Sequence, residues 1–301
     1  MKQIPLIALA ALLSSCGQQP RETVVPVPQA SPSVQQPVPP VDISLLGMHP
    51  GPVQKLENCV ALLKSLYHED NKLHCGTGFF VNYDNRIFLV TANHVAEAMN
   101  PEGTVFIKQP MGFTYSITFR DLIGGRPMNW SHMPDTDCAV LELYTDVHIL
   151  NILASYSIDY NKLNNVLNPP SREEPLLTIG FPHDFGYKNG FEPISRKTHA
   201  ISDTLSDKLD DSLPEELFFI IDTPSLSGAS GSPIFSGVYS MDGKVLPFGN
   251  YCCLGLVQGT LHDENNIADF SVIVPAPLIE QTILLARKQE DHSSTSAALS
   301  P

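Results

Sequence analysis

Basic residues are scarce in this 301-residue sequence. It has 18 lysines and arginines against 32 aspartates and glutamates, a net charge of −14. Nucleic-acid affinity comes largely from cations that meet phosphate, so no nucleic-acid partner is expected. Solubility is the plain reading of the charge. Long apolar runs are missing after the first fifteen residues, so no transmembrane helix is expected there. Paired metal-ligand groups are missing too. His183 with Asp184, and Cys252 with Cys253, lack the spacings that zinc uses. Neither a metal nor a cofactor is expected. No internal repeat divides the chain. Cysteines beyond Cys16 are Cys59, Cys75, Cys138, Cys252 and Cys253. Their number is odd, so at least one thiol stays free or pairs outside the chain. A 43% hydrophobic composition suffices for a core of ordinary size, in one large domain or two small ones.

What is present begins at the N-terminus. Met1-Lys2-Gln3 carries one positive charge, Ile4 to Leu13 is almost wholly apolar, and Ser14-Ser15 follow. This reads as a short signal peptide over residues 1–15, too short to span a bilayer. Leu13-Ser14-Ser15-Cys16 resembles the bacterial lipobox, in which cleavage precedes the cysteine and its thiol is lipidated. The alternative is an ordinary signal peptide with an incidental cysteine. Several acyl chains (palmitate among them) would anchor stably where one alone binds marginally. Residues 16–45 are rich in Gln, Pro, Val and Ser. Such sequence stays extended and reads as a spacer between membrane and domain.

From Cys59 the texture is strand, turn, strand. Cys59–Leu63, Gly76–Val81, Arg86–Thr91, Val105–Ile107, Tyr115–Phe119 and Cys138–Leu143 are predicted strands, with Tyr83-Asp84-Asn85 as a turn. Leu176–Ile179, Pro193–Ile201, Leu217–Ile221, Pro233–Phe235, Cys253–Val257 and Phe270–Val274 form a second group. Many short strands at this spacing argue for an all-β sandwich or barrel. Residues 277–288 have helical apolar spacing with basic residues at the end. Residues 289–301 are polar, and a disordered tail is expected.

Three strings carry the chemistry: Thr91-Ala92-Asn93-His94, Asp137-Cys138-Ala139-Val140-Leu141, and Gly228-Ala229-Ser230-Gly231-Ser232-Pro233. A serine hydroxyl is a poor nucleophile and needs a base, and that base needs an orienting group. The order His, Asp, Ser separates these strings from α/β-hydrolases (Ser, Asp, His) and subtilisins (Asp, His, Ser). With these motifs the chain, over roughly Cys59 to Leu285, resembles the trypsin/chymotrypsin-like serine peptidases. It is most similar to bacterial HtrA and glutamyl-endopeptidase types.

The resemblance implies two six-stranded antiparallel β-barrels, about 57–150 and 170–275, within a protease domain of 46–288. A C-terminal helix would pack on the second barrel. His94 would be general base and then general acid, Asp137 its orienting group, and Ser230 the nucleophile. Asp135 is the rival aspartate, but Asp137 abuts the strand. The backbone N–H groups of Gly228 and Ser230 would form the oxyanion hole. The specificity (S1) pocket would fall on Pro224, Ser225, Leu226, Val257 and Gly259. No aspartate stands at the pocket base near Pro224, which argues against cleavage after Arg or Lys. Val257 stands where glutamate-specific relatives carry histidine, although His262 lies nearby and could reach in. A neutral or apolar P1 residue is therefore expected. Gly180-Phe181-Pro182 resembles a structural turn of the family. Val95 stands where animal members have a cysteine, so that bridge is missing.

Ala229 departs from trypsin-like zymogens, which have an aspartate there to pair with a newly cut N-terminus. An active site that forms without such activation follows. The expectation is a monomeric, lipid-anchored serine endopeptidase of a bacterial envelope, on its periplasmic or cell-surface face. It would act on protein or peptide substrates and meet the membrane through its N-terminal lipid. A catalytically silent binding lipoprotein on the same fold is the alternative.

Overall fold

The computed structural model describes residues 51–66, 72–109, 112–188, 190–209, 214–262 and 268–298. The segments expected to be a signal peptide and a spacer, with Cys16, lie outside the described residues.

The first sheet is built from β1 (Val60–Leu66), β2 (Leu73–Tyr83), β3 (Arg86–Thr91), β4 (Thr104–Lys108), β5 (Thr114–Thr118), β6 (Ser131–His132), β7 (Ala139–Glu142) and β8 (Ile158–Asp159). Its order is β5-β4-β1-β2-β3-β7-β6, with β8 added in parallel to β2. The second sheet holds β9 (Leu176–Gly180), β10 (Ile194–Thr198), β11 (Leu205–Asp207), β12 (Glu216–Ile221), β13 (Pro233–Ser236), β14 (Cys252–His262) and β15 (Ala268–Pro275). Its order is β10-β9-β13-β14-β15-β12-β11. The two-barrel expectation is met as two antiparallel sheets, of eight and seven strands, that do not close. The extra strands β6, β8 and β11 are two or three residues long, too short to show an apolar alternation.

Local chemistry explains the hairpin that leads to the site. β3 reads RIFLVT and is buried from Ile87 to Thr91, as a strand covered on both faces should be. Asp84 and Asn85 join it to β2 with φ of 53° and 61°. These short polar side chains tolerate the left-handed region that a tight hairpin turn needs. The turn sets the register Tyr83↔Arg86 through Phe79↔Val90. β4, by contrast, alternates half-buried and buried positions, the signature of a sheet wet on one face. Phe79, Phe80, Phe88, Phe119, Phe181 and Phe235 are fully buried in one core that runs across both sheets.

Two helices complete the frame. A helix (α1, Val147–Tyr156) falls between the two strand groups, where no helix was expected. Asp146 caps it by accepting from the His148 N–H at 2.8 Å, and Leu153 is its buried anchor. The C-terminal helix (α2, Ala276–Ala298) begins where expected but continues beyond Lys288, so the segment expected to be a disordered tail is helical to Ala298. It rests on β6 and β7 as well as β14 and β15, rather than on the second sheet alone. Ile279, Thr282 and Ile283 are fully buried, and Ser131 Oγ donates to Gln289 Oε1 at 2.8 Å. The helix thereby ties the two sheets together.

No disulfide joins the five cysteines of the described residues. Burial pushes the Cys253 thiol up to about 12 and raises Cys59 and Cys138 strongly. Protonated, buried thiols are poor nucleophiles and pack as small apolar groups.

Candidate active site

His94 stands one residue into a single helical turn, Asn93–Glu97, that follows β3 directly. Asp137 stands two residues ahead of β7. The β3–β7 register pairs Thr91 with Ala139, so strand pairing closes the 43-residue gap between the two side chains. Both carboxylate oxygens of Asp137 are used. Oδ2 lies 2.8 Å from His94 Nδ1, and Oδ1 accepts from the His94 backbone N–H at 2.9 Å. Asp135 is exposed and makes no such contact. Of the two aspartates, the structure brings only Asp137 to the histidine.

Burial pulls the His94 imidazole down, but the adjacent Asp137, as charge and as hydrogen-bond partner, outweighs it. His94 therefore titrates above its ordinary value. Nearby, Glu216 is raised by burial and accepts from Gln258 Nε2 at 3.0 Å. Gln258 sits in a β-bulge of β14, between Val257 and Gly259. Bulges re-aim side chains beside functional sites.

Ser230 lies on the loop before β13. Gly228 and Gly231, with φ of 87° and 85°, flank it. A β-carbon on Gly231 would come within 2.0 Å of the Thr77 carbonyl oxygen. Only glycine permits both the angle and the approach. Gly231 N–H donates to Val257 O at 2.7 Å and Val257 N–H to Ser232 O at 2.9 Å, which fixes the loop to β14. Thr77 of β2 then fastens the loop to the first sheet. Its N–H donates to Ser230 O at 2.9 Å, and its hydroxyl donates to Gly228 O at 2.8 Å. Thr91, three residues before His94, donates its hydroxyl to Thr77 O at 2.7 Å. Thr77 is therefore one hydrogen bond from both the histidine segment and the serine loop. Sequence reasoning missed it. The flanking glycines, Gly76 and Gly78, were the signal that the backbone there is crowded.

Ser230 Oγ has no hydrogen-bond partner among the described residues, His94 Nε2 included. Catalytic hydrogen bonds are often long without substrate and tighten when it binds. Among the described residues no hydrogen bond uses the Gly228 or Ser230 N–H groups. Of the pocket positions expected from sequence, Pro224, Ser225 and Val257 line one pocket, while Leu226 and Gly259 do not. Leu226 is instead exposed.

The segment after Gly180-Phe181-Pro182 does more than turn the chain. His183 N–H donates to Ser227 O, just ahead of Gly228. His183 and Asp184 both have positive φ, at 52° and 54°. The Asp184 carboxylate, meanwhile, is paired with the ammonium of Lys64 on β1, which also donates to Tyr187 Oη at 3.0 Å. Lys64 and Asp184 side chains are only 10% and 21% exposed. Burial pulls the Lys64 ammonium down, but Asp184 and Tyr187 carry it to about 12. The ammonium is thus charged at any working pH, and its contribution is lost as pH rises through that value. Asp184→Asn leaves a half-buried ammonium poorly paired and should cost about 1–3 kcal/mol. Urea unfolding checks this, and Lys64→Met in the same chain should restore most of the loss. An unchanged midpoint in Asp184→Asn would remove the ion pair from the account of the fold.

Among the described residues, no group of three or more His, Cys, Asp or Glu side chains is placed to hold a metal ion. A family model described as the trypsin-like peptidase domain matches residues 76–240, more than half of the chain. No curated protein matches the chain. Among solved structures, the active form of the Rv3671c protease from M. tuberculosis is similar at 18% identity. The match covers 87% of this chain and 93% of that one, with a TM-score of 0.48. An HtrA-type protease, AlgW with a decapeptide, is similar at 13% identity over 80% of this chain and 66% of that one, with a TM-score of 0.48. A scabies mite inactivated protease paralogue is similar at 14% identity over 78% of this chain and 96% of that one, with a TM-score of 0.49.

Proposed function

The chain belongs to the trypsin-like peptidase family, and on that footing we propose that this serine endopeptidase works through His94, Asp137 and Ser230, exported and held to a bacterial envelope membrane by lipid on Cys16. The observation that supports the triad most directly is the double contact of Asp137 with His94, at 2.8 and 2.9 Å. It leaves Nε2 as the ring nitrogen free to take a proton.

Ser230 Oγ attacks the peptide carbonyl carbon while its proton passes to His94 Nε2. The carbonyl oxygen becomes an oxyanion between the N–H groups of Gly228 and Ser230, each worth about 10²–10³ in turnover for such donors. The C–N bond then breaks as His94 returns the proton to the leaving amine. Water attacks the resulting acyl ester, giving a proton to His94, which passes it back to Ser230 Oγ. Asp137 stays ionised throughout and balances the imidazolium. Every step is carried by the chain's own groups.

The test is labelling of the purified protein with a fluorophosphonate, with mass mapping of the adduct. An adduct on Ser230 that disappears in His94→Ala is expected. The same spectrum should show a chain that begins at Cys16 and carries acyl mass. No adduct on a folded protein would sink the triad and bring forward the silent binding lipoprotein.

A further inference from the structure

The pocket beside the serine holds an arginine that neither wall predicted from sequence contains. Its boundary includes Pro224, Ser225, Ala229 and Val257, and behind them Arg196 of β10 and Ser232. Ala229 immediately precedes Ser230. Val257 is hydrogen-bonded to the main chain of Gly231 and Ser232, so the pocket opens next to the proposed nucleophile.

The polar groups of this pocket are unevenly engaged. Arg196 Nη1 donates to Pro224 O at 3.0 Å. Among the described residues Arg196 has no carboxylate partner. Among the described residues no aspartate or glutamate lines the pocket. Asp222 is not among the lining residues; it accepts from the Thr198 and Thr223 hydroxyls and lies against His199 Nδ1. Ser271 is occupied too, donating to Thr223 O. Ser232 is the buried hydroxyl left over. It is fully buried on this wall, and its Oγ has no hydrogen-bond partner. An uncompensated guanidinium and an unsatisfied buried hydroxyl both stabilise an anion that enters, and both are left poorly served by an apolar one.

We infer that this pocket selects an acidic P1 residue, with Arg196 as the specificity-determining side chain and the Ser232 hydroxyl as a second donor. This rests on the triad reading above, since it assigns the substrate class of the same site. It replaces the neutral or apolar P1 expected from sequence. That expectation examined Val257, on the second wall, for a cation. The cation instead comes from β10, 28 residues before Pro224, a strand that no sequence motif ties to the pocket.

A P1-varied peptide library on the purified full-length protein decides the matter. Glu or Asp at P1 should be cleaved with kcat/KM at least tenfold above Gln, Asn, Ala and Leu in the same peptide. Arg196→Gln should erase that preference, bringing the ratio of acidic to neutral kcat/KM to within threefold of one, and Arg196→Glu should turn it toward Lys and Arg. Arg196 also props the Pro224 carbonyl, and a purely structural role has its own signature. Arg196→Gln would then lower all substrates alike, which overturns the assignment. Should that variant fail to fold, the wild-type profile and Arg196→Lys, expected to keep the acid preference, decide alone. A protein that takes the phosphonate on Ser230 yet cleaves after apolar residues overturns the pocket and leaves the triad standing. One that takes no phosphonate overturns both.

Discussion

Ser230→Ala should lower kcat by about 10⁶-fold, as removal of the nucleophile does in serine peptidases whose remaining groups still bind substrate. Its unfolding free energy should stay within about 0.5 kcal/mol of the wild type, as for surface changes that break no partner. The second half follows from the geometry. The loop is held by Ser230 O, Gly228 O and the Gly231 N–H, all main-chain atoms, and the Ser230 hydroxyl has no partner to lose. KM should change little, because binding energy comes from the pocket and main chain. Initial rates on the best library peptide, with a urea curve for the same preparation, measure both halves. A variant that keeps a tenth of the wild-type rate would place the nucleophile elsewhere. One that loses stability with activity would show that the hydroxyl has a structural partner.

Much of this site was legible in the sequence because its parts are local. Val90-Thr91-Ala92-Asn93-His94 couples a buried strand to a helical turn, and each half is encoded by neighbours. Asp137 announces itself by standing just ahead of an apolar strand. The twelve expected strands all fall on strands of the structure, since each is long enough to show its pattern. What escaped is non-local. Thr77 joins the histidine segment to the serine loop across 151 residues to Gly228, and nothing in its own neighbourhood says so. The Lys64–Asp184 pair spans 120 residues, and each partner alone reads as a solvated charge. Arg196 sits on a strand whose pattern gives burial but not which pocket the side chain enters. The helix at Val147–Tyr156 escaped for a different reason: its stripe is short, with Leu153 alone fully buried.

Asp137→Asn should lower kcat by about 10⁴-fold, the size seen when the orienting aspartate of a triad becomes an amide. The two hydrogen bonds explain why so small a change costs so much. His94 presents two donors to Asp137, Nδ1–H and the backbone N–H, and the carboxylate meets each with an oxygen. An amide has one oxygen. If it serves the backbone, its NH₂ faces Nδ1 and forces the proton onto Nε2, the nitrogen that accepts from Ser230 in the proposed mechanism. If it serves Nδ1, the NH₂ confronts the backbone N–H, and the turn that carries His94 must shift. The titration should move as well. Asp137 is what lifts His94 above its ordinary value against burial, so without it burial prevails and the pKa falls. The acid limb of kcat/KM, which reports His94 in the free enzyme, should therefore move to lower pH in the variant. Stability follows the same sign. A histidine raised in the folded state contributes most below its unfolded pKa and loses that contribution as pH rises through the folded one. Asp137→Asn should thus destabilise more at pH 5 than at pH 8. Asp135→Asn is the control, because Asp135 is exposed and does not touch His94. Its rate and pH profile should match the wild type within twofold. A collapse of activity in Asp135→Asn, with Asp137→Asn intact, would reverse the assignment of the two aspartates.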